Sequence, residues 1–256
     1  MATSALPAVR RVAFGAPLRW LAEGWRALWA SWRVSLPYGV VVAAICGAIA
    51  AALIRTNLAG WALALACGLV LVAPVLAMGN YETGRRLEAH QRLSLRATFV
   101  APQAFRGDVA YLGVALFIIF GFWIQAAQIV YGLSTFQIYR TVPTFLDFAL
   151  RTDEGHRMLL TGTLVGGAIA FLTYVLVVVS APMLLERRNS IFEATVTSVR
   201  AVHDNFPAML LWAAIIAVLT LGSLATGFVA MVVVFPWLGL ASWRAYRDLV
   251  VEPAND

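Results

Sequence analysis

Five stretches of this chain, residues 36–54, 58–79, 109–139, 158–185 and 206–243, contain no Asp, Glu, Lys, Arg or His, and each is at least 19 residues long. A helix needs roughly 20 apolar residues to cross the hydrocarbon layer of a bilayer. Soluble domains carry about 25% charged residues. Here only 12% are charged and 61% are hydrophobic, with a mean hydropathy of +0.81. Too little charge is present to clothe a water-facing surface. The sequence therefore predicts an all-α fold, a polytopic membrane helix bundle.

The remaining charges set the orientation. Net charge is +6, and all the basic residues are Arg. Residues 1–35 hold 5 Arg, residues 80–108 hold 5 and residues 182–205 hold 3. The connections between them hold Arg55, Arg140, Arg151 and Arg157, which makes 13 against 4 before the C-terminus is placed. Cytoplasmic loops carry the excess of Lys and Arg. The Arg-rich segments are thus expected in the cytoplasm and the other two connections outside, in a bacterial inner membrane. Basic residues beside spans suit anionic lipid head groups. No basic cluster interleaved with aromatics lies on a soluble domain, so nucleic acid is not an expected partner.

The run 206–243 is ambiguous. As one helix it would measure about 57 Å, too long for a single span. An internal pattern decides the reading. From Pro74 to Leu87 and from Pro236 to Leu249 the chain follows P-x-L-x(4)-[YW]-x(3)-R-x-L, and Pro182 with Leu184 repeats its beginning. Arg-Ala recurs at 26, 96, 200 and 244. The chain then reads as three units, each an amphipathic cytoplasmic helix followed by a hairpin of two spans. The expected plan is a tail at 1–15, one membrane domain at 16–250 and a tail at 251–256. Spans are expected near 36–54, 60–79, 109–133, 158–181, 207–222 and 223–240. Amphipathic segments are expected at 16–33, 82–106, 190–205 and 241–250. Both termini then face the cytoplasm. The competing reading is a single tilted fifth helix with the C-terminus outside.

Residues 16–33 place Leu18, Leu21, Trp25, Leu28, Trp29 and Trp32 on one helical face, and Arg19, Glu23, Arg26 and Arg33 on another. Trp and Leu opposite Arg mark a helix lying in the membrane interface. Docking on a partner is the alternative. Trp20, Trp25, Trp29, Trp32 and Trp243 are accordingly expected as interfacial anchors.

Little in the sequence suggests catalysis. His90, His156 and His203 all lie in connections, which argues against haem held between spans. The spans hold no carboxylate for a proton relay. Cys46 and Cys67 lie in apolar runs without the spacing of a redox or zinc motif. No GxSxG, HExxH or Walker pattern occurs. The chain is not expected to be an enzyme or to carry a cofactor or metal. Two groups of polar residues remain. Gly121, Gln125, Gln128 and Gly132 share one face of the third span, either as interhelical packing or as a polar pathway. Glu82, Arg85, Arg86, Glu186, Arg187 and Arg188, with Glu88 nearby, lie at the cytoplasmic mouth. They form either local ion pairs or a surface for a protein or anionic-lipid partner.

The stretches "PVLAMGNYETGRRLE" (74–88), "VVSAPMLLERRNS" (178–190), "AVHDNFPAMLLW" (201–212) and "ASWRAYRDLV" (241–250) resemble a bacterial integral membrane family known as domain of unknown function 2189. The likeness runs from Gly24 to Arg247. It implies a membrane protein but no activity, substrate or cofactor. Members carry histidines near the positions of Leu240 and Arg244, so any role of those histidines is not implied here. In layout alone, the chain also resembles small sulfate-permease-like proteins. Two functions are therefore expected to compete. One is a non-enzymatic scaffold or accessory subunit binding a membrane-protein, lipid or homo-oligomeric partner. The other is a small-solute channel or permease with its path along the third span.

Overall fold

The computed structural model describes residues 6–55, 64, 68, 71–100, 107–139 and 141–251. Residues 60–63, 65–67 and 69–70 of the expected span 60–79 lie outside these residues, as do 101–106 of the expected segment 82–106 and the tail 252–256. The helices are α1 Ala16–Ala30, α2 Trp32–Arg55, α3 Met78–Glu88, α4 Leu95–Phe99, α5 Gly107–Ser134, α6 Val142–Arg151, α7 Asp153–Val177, α8 Ser180–Glu186, α9 Ile191–Asp204, α10 Phe206–Ala225 and α11 Met231–Leu249. Residues 71–76 are helical too. Four stretches are long and apolar enough to cross a membrane: Trp32–Arg55, Gly107–Ser134, Asp153–Glu186 and Phe206–Ala225. The protein is a helical, polytopic membrane bundle.

The packed core lies at one end of this bundle. The largest fully buried side chains include Trp20, Trp212, Trp243, Tyr246, Met183, Leu184 and Leu185, from α1, α8, α10 and α11. The spans contribute much less. Only 17% of the most apolar window of Gly107–Ser134 is buried in the protein. Apolar side chains need no protein partner in lipid, because hydrocarbon tails are as apolar as Leu. Tight packing is therefore concentrated where the helices leave the apolar layer.

Three segments run into that end. Residues 71–76 lead through Ala77 into α3, α7 leads through 178–179 into α8, and α11 carries Pro236 within it. α3 and α11 run side by side in the same direction. A Cβ on Gly239 would fall 2.6 Å from Cβ of Asn80, and one on Gly84 would fall 2.8 Å from the Trp243 ring. These two glycines set the separation of the helices. The two copies of the sequence pattern thus come into direct contact.

α1 lies against α11. A Cβ on Gly24 would meet Ala241 at 2.6 Å, and Trp237 Nε1 donates to the Leu21 carbonyl at 2.8 Å. The buried stripe of α1 is Ala16, Trp20, Gly24, Ala27 and Leu28, while Leu18, Trp25 and Trp29 are exposed, as is Trp32 at the start of α2. α1 is thus two-faced: small residues allow close approach to protein, Trp25 lies edge-on to Trp237 of α11 with ring centroids 4.8 Å apart, and Leu18 and Trp29 are exposed.

Residues 8–12, part of the expected tail 1–15, are pinned. Val9 and Val250 form an isolated antiparallel bridge, Arg10 N donates to the Leu249 carbonyl at 2.7 Å, and Val12 N donates to Asn205 Oδ1 at 2.8 Å. Residues 9 and 250 therefore share one face of the molecule.

Two local features differ from expectation. α10 continues through Gly222 and Ser223, and the chain turns at 226–230, where Gly227 and Phe228 have φ of +62° and +70°. Ser223 Oγ donates to the Leu219 carbonyl one turn back, so its hydroxyl is satisfied inside the helix and does not break it. α6 is an additional element. Thr141 caps it, Pro143 sits in its first turn, and Phe145, Phe148 and Ala149 are buried with Met158. This satellite cluster includes Tyr131 and Tyr139 and closes the end of the α5–α7 hairpin.

Candidate functional site: an ionic base

At the packed end, α1, α3, α8 and α11 bring charged residues together. Glu82 sits on α3, whose residues from Met78 to Gly84 are all buried. Its side chain is 0% exposed. Arg85 donates through Nε to Glu82 Oε2 and through Nη2 to Oε1, both at 2.8 Å, and Arg86 Nε donates to Oε1 at 2.6 Å. The i+3 and i+4 spacing places both guanidiniums on the carboxylate's side of the helix. Burial pushes the Glu82 carboxyl up, but the hydrogen bonds and charges of Arg85 and Arg86 outweigh it and hold it below the ordinary carboxylate value. Arg86 Nη1 also donates to the Arg92 carbonyl at 3.2 Å, tying the following loop to α3.

The second group links helices distant in sequence. Glu88, the last residue of α3, accepts from Trp243 Nε1 at 3.0 Å, and it pairs with Arg247 at 3.3 Å and Arg244 at 3.6 Å. Arg247 Nη1 reaches Glu186 at the end of α8 at 3.2 Å. Tyr246 donates its hydroxyl to Glu186 Oε2 at 2.5 Å. Burial, then the Glu186 charge, push the Tyr246 hydroxyl well above its ordinary pKa. Arg187 Nη2 donates to the Val251 carbonyl at 3.1 Å. α1 joins through Asp248, which pairs with Arg19 and accepts from Trp20 Nε1 at 2.8 Å. An open cleft of about 280 Å³ remains, lined by Arg19, Trp20, Glu23, Arg244, Arg247 and Asp248.

The sequence-selected residues separate into distinct places. Glu82, Arg85, Arg86, Glu186 and Arg187 belong to the base, whereas Arg188 is exposed and makes no ion pair with a described residue. Trp25, Trp29 and Trp32 are exposed. Trp20 and Trp243, expected as interfacial anchors, are each 1% exposed, and their indole N–H groups are used by Asp248 and Glu88. Their rings serve the protein core, because their carboxylate partners lie on or beside the same buried seam. Gly121, Gln125, Gln128 and Gly132 all lie on the exposed side of α5. α7 meets α5 elsewhere: a Cβ on Gly166 would touch Trp123, and one on Gly162 would approach Val130 at 3.9 Å.

Sequence reasoning missed Arg19 and Asp248, which are 229 residues apart. It also missed Asn80, which is buried with neither amide atom partnered among the described residues. The repeated P-x-L-x(4)-[YW]-x(3)-R-x-L pattern was the available signal for the rest. It places Tyr81 and Trp243 in the core and Arg85 and Arg247 in ion pairs.

Chemically, the carboxylates of this cluster are held by guanidiniums, two indoles and a phenol. Such an arrangement locks α1, α3, α8 and α11 together. Among the described residues, no group of three or more His, Cys, Asp or Glu converges as a metal site.

The profile of a family described as a predicted integral membrane protein, domain of unknown function 2189, matches residues 62–186. It is the family that the sequence motifs resemble. The matched region contains Glu82, Arg85, Arg86, Glu88 and Glu186, and ends one residue before Arg187. No curated protein and no solved structure matches the chain.

Proposed function

We propose that this multi-pass membrane protein is a non-enzymatic scaffold or accessory subunit of the bacterial inner membrane, which holds an anionic partner on its cytoplasmic, Arg-rich face. One observation carries the reading: the base has an inner set of neutralised charges and an outer set of open ones. The inner set, centred on Glu82, Glu88 and Glu186, fixes α3, α8 and α11 to one another. Around it Arg26, Arg33, Arg92, Arg96, Arg188 and Arg200 are exposed and make no ion pair with described residues. A rigid support with exposed guanidiniums suits carboxylates or phosphates better than it suits turnover.

Orientation follows from the same face. The Arg-rich segments and residue 250 lie together through Val9, Glu88, Glu186 and Arg247. By the positive-inside rule this face is cytoplasmic. The exposed tryptophans of α1 would then rest at the inner headgroup level. The channel reading has less support, because it needs Gln125 and Gln128 to line a path inside the chain, and both face outward.

The test is purification from native membranes in mild detergent, with mass spectrometry of retained lipid and protein. The wild type is expected to retain anionic lipid or an acidic protein. Arg26→Gln, Arg33→Gln, Arg92→Gln and Arg96→Gln combined should lose it, at roughly 1 kcal/mol per Arg near an anionic surface. Arg85 and Arg86 are unsuitable for this test, because removing them strands the buried Glu82. If the wild type retains neither class, or the quadruple variant retains as much, the proposal fails.

A further inference from the structure

α5 turns two amides toward lipid. Gln125 and Gln128 are exposed on its outward face, and the contacts of Gly162 and Gly166 with Val130 and Trp123 put them level with residues 162–166 of α7. Arg157, the nearest charged residue of α7 toward that end, is about 7–14 Å further along at 1.5 Å per residue. Asp108, at the other end of α5, is about 25 Å from Gln125 and about 30 Å from Gln128. The amides therefore lie toward the α6 edge of the hydrocarbon layer, which is about 30 Å thick, where lipid chains supply neither donors nor acceptors and unsatisfied polar atoms are costly.

Within one chain the pair is half satisfied. Gln128 Nε2 donates to Gln125 Oε1 at 3.2 Å. The Gln125 amide protons and Gln128 Oε1 have no partner among the described residues. What is left is the Gln125 NH₂, the second N–H of Gln128 and Gln128 Oε1; the Gln125 donor and the Gln128 acceptor complement each other under a two-fold axis. Two copies sharing an orientation in one membrane are related by an axis along the membrane normal. Their α5 helices would run parallel, with like residues at like depth. Gln125 of each copy then donates to Gln128 Oε1 of the other, which asks for the same axial reach that the bond within the chain already spans. Gly121 and Gly132 flank the amides, and a Cβ at either would meet nothing within 4 Å, so the backbone there is open to a neighbour.

We propose that the protein forms a two-fold homodimer through this face of α5, closed by a ring of four amides in which each Gln donates once and accepts once. The occupant is a second copy because the unsatisfied donor and acceptor match each other; another protein would have to supply both in the complementary order.

The test is oxidative cross-linking in native membranes of chains carrying Cys46→Ala and Cys67→Ala and one new cysteine. Gly121→Cys and Gly132→Cys are expected to give a dimer of the chain. Leu164→Cys on α7 and Val218→Cys on α10, at positions exposed on other outward surfaces, are expected to give none. Gln125→Leu with Gln128→Leu points outward and leaves the fold intact; it should raise the dimer dissociation constant in bilayers about tenfold. No dimer from either glycine position overturns the proposal. So does equal cross-linking at Leu164→Cys, a product with a different protein, or unchanged association of the double Leu variant.

Discussion

Replacing Glu82 by Gln isolates the stabilising part of the base with little change in shape. The carboxylate is fully buried and accepts hydrogen bonds from Arg85 Nε, Arg85 Nη2 and Arg86 Nε. An amide has only one acceptor oxygen, and its NH₂ would face a guanidinium that also only donates. Removing one partner of a buried ion pair costs about 3–5 kcal/mol. Arg85 and Arg86 keep 26% of their side-chain surface in solvent and can partly rehydrate, which discounts that cost to about 2–3 kcal/mol here. For a chain of this size each kcal/mol moves the melting temperature by about 2–4 °C. Glu82→Gln should therefore melt about 4–12 °C below wild type, followed by tryptophan fluorescence in the same detergent. Glu23→Gln is the control: its pair with Arg19 is 4.0 Å long and its side chain is 38% exposed, so little change is expected.

The same pair predicts a pH dependence. Because the folded Glu82 is held below its ordinary value of 4.5, its contribution is complete above that value and is lost as pH falls through the lower folded value. The gap between wild type and Glu82→Gln should be constant near neutrality and close below about pH 4.5. A Glu82→Gln protein that melts with wild type at pH 7 would refute the claim that this carboxylate anchors the base.

Three further outcomes follow from the packing. Gly24→Val forces a branched side chain into the Ala241 backbone and should cost about 1–3 kcal/mol, read as a lower melting temperature. Trp243→Phe deletes the donor to Glu88 and should cost about 2–3 kcal/mol in the same assay, from the lost charge-assisted bond. Asn80→Leu replaces a buried amide without partners by an apolar group of similar shape, and should be neutral or stabilising by about 1–3 kcal/mol in chemical denaturation.

Much of this arrangement is legible in sequence, for definable reasons. Uncharged runs reveal spans because the hydrocarbon layer admits few charges, and α2, α5, α7 and α10 fall within or across those runs. Glu82, Arg85 and Arg86 reveal their pairing because helical spacing fixes it. What sequence withholds is the choice between two apolar surroundings. Trp20 and Trp25 both suit an amphipathic helix at an interface, yet one is 1% exposed and the other 39%. Lipid and protein core are equally apolar, so composition does not separate them. Gly24, opposite Ala241, is what turns the Trp20 side inward. Distant pairs such as Arg19 with Asp248 arise only when α1 and α11 dock, and no local pattern encodes that contact. The turn after α10 is hidden from sequence for a simpler reason: Gly222 and Ser223 look like a break, but a serine hydroxyl returned to the preceding turn is compatible with helix.

The central claim is that the Arg-rich segments and the end of α11 form one cytoplasmic face. It is tested most directly with single cysteines, on a chain lacking Cys46 and Cys67, labelled by a membrane-impermeant thiol reagent in intact and permeabilised cells. Arg96→Cys, Arg200→Cys and Val251→Cys should react only after permeabilisation, and Leu146→Cys on α6 should react in intact cells. Labelling of Val251→Cys in intact cells while Arg96→Cys stays protected would contradict the account.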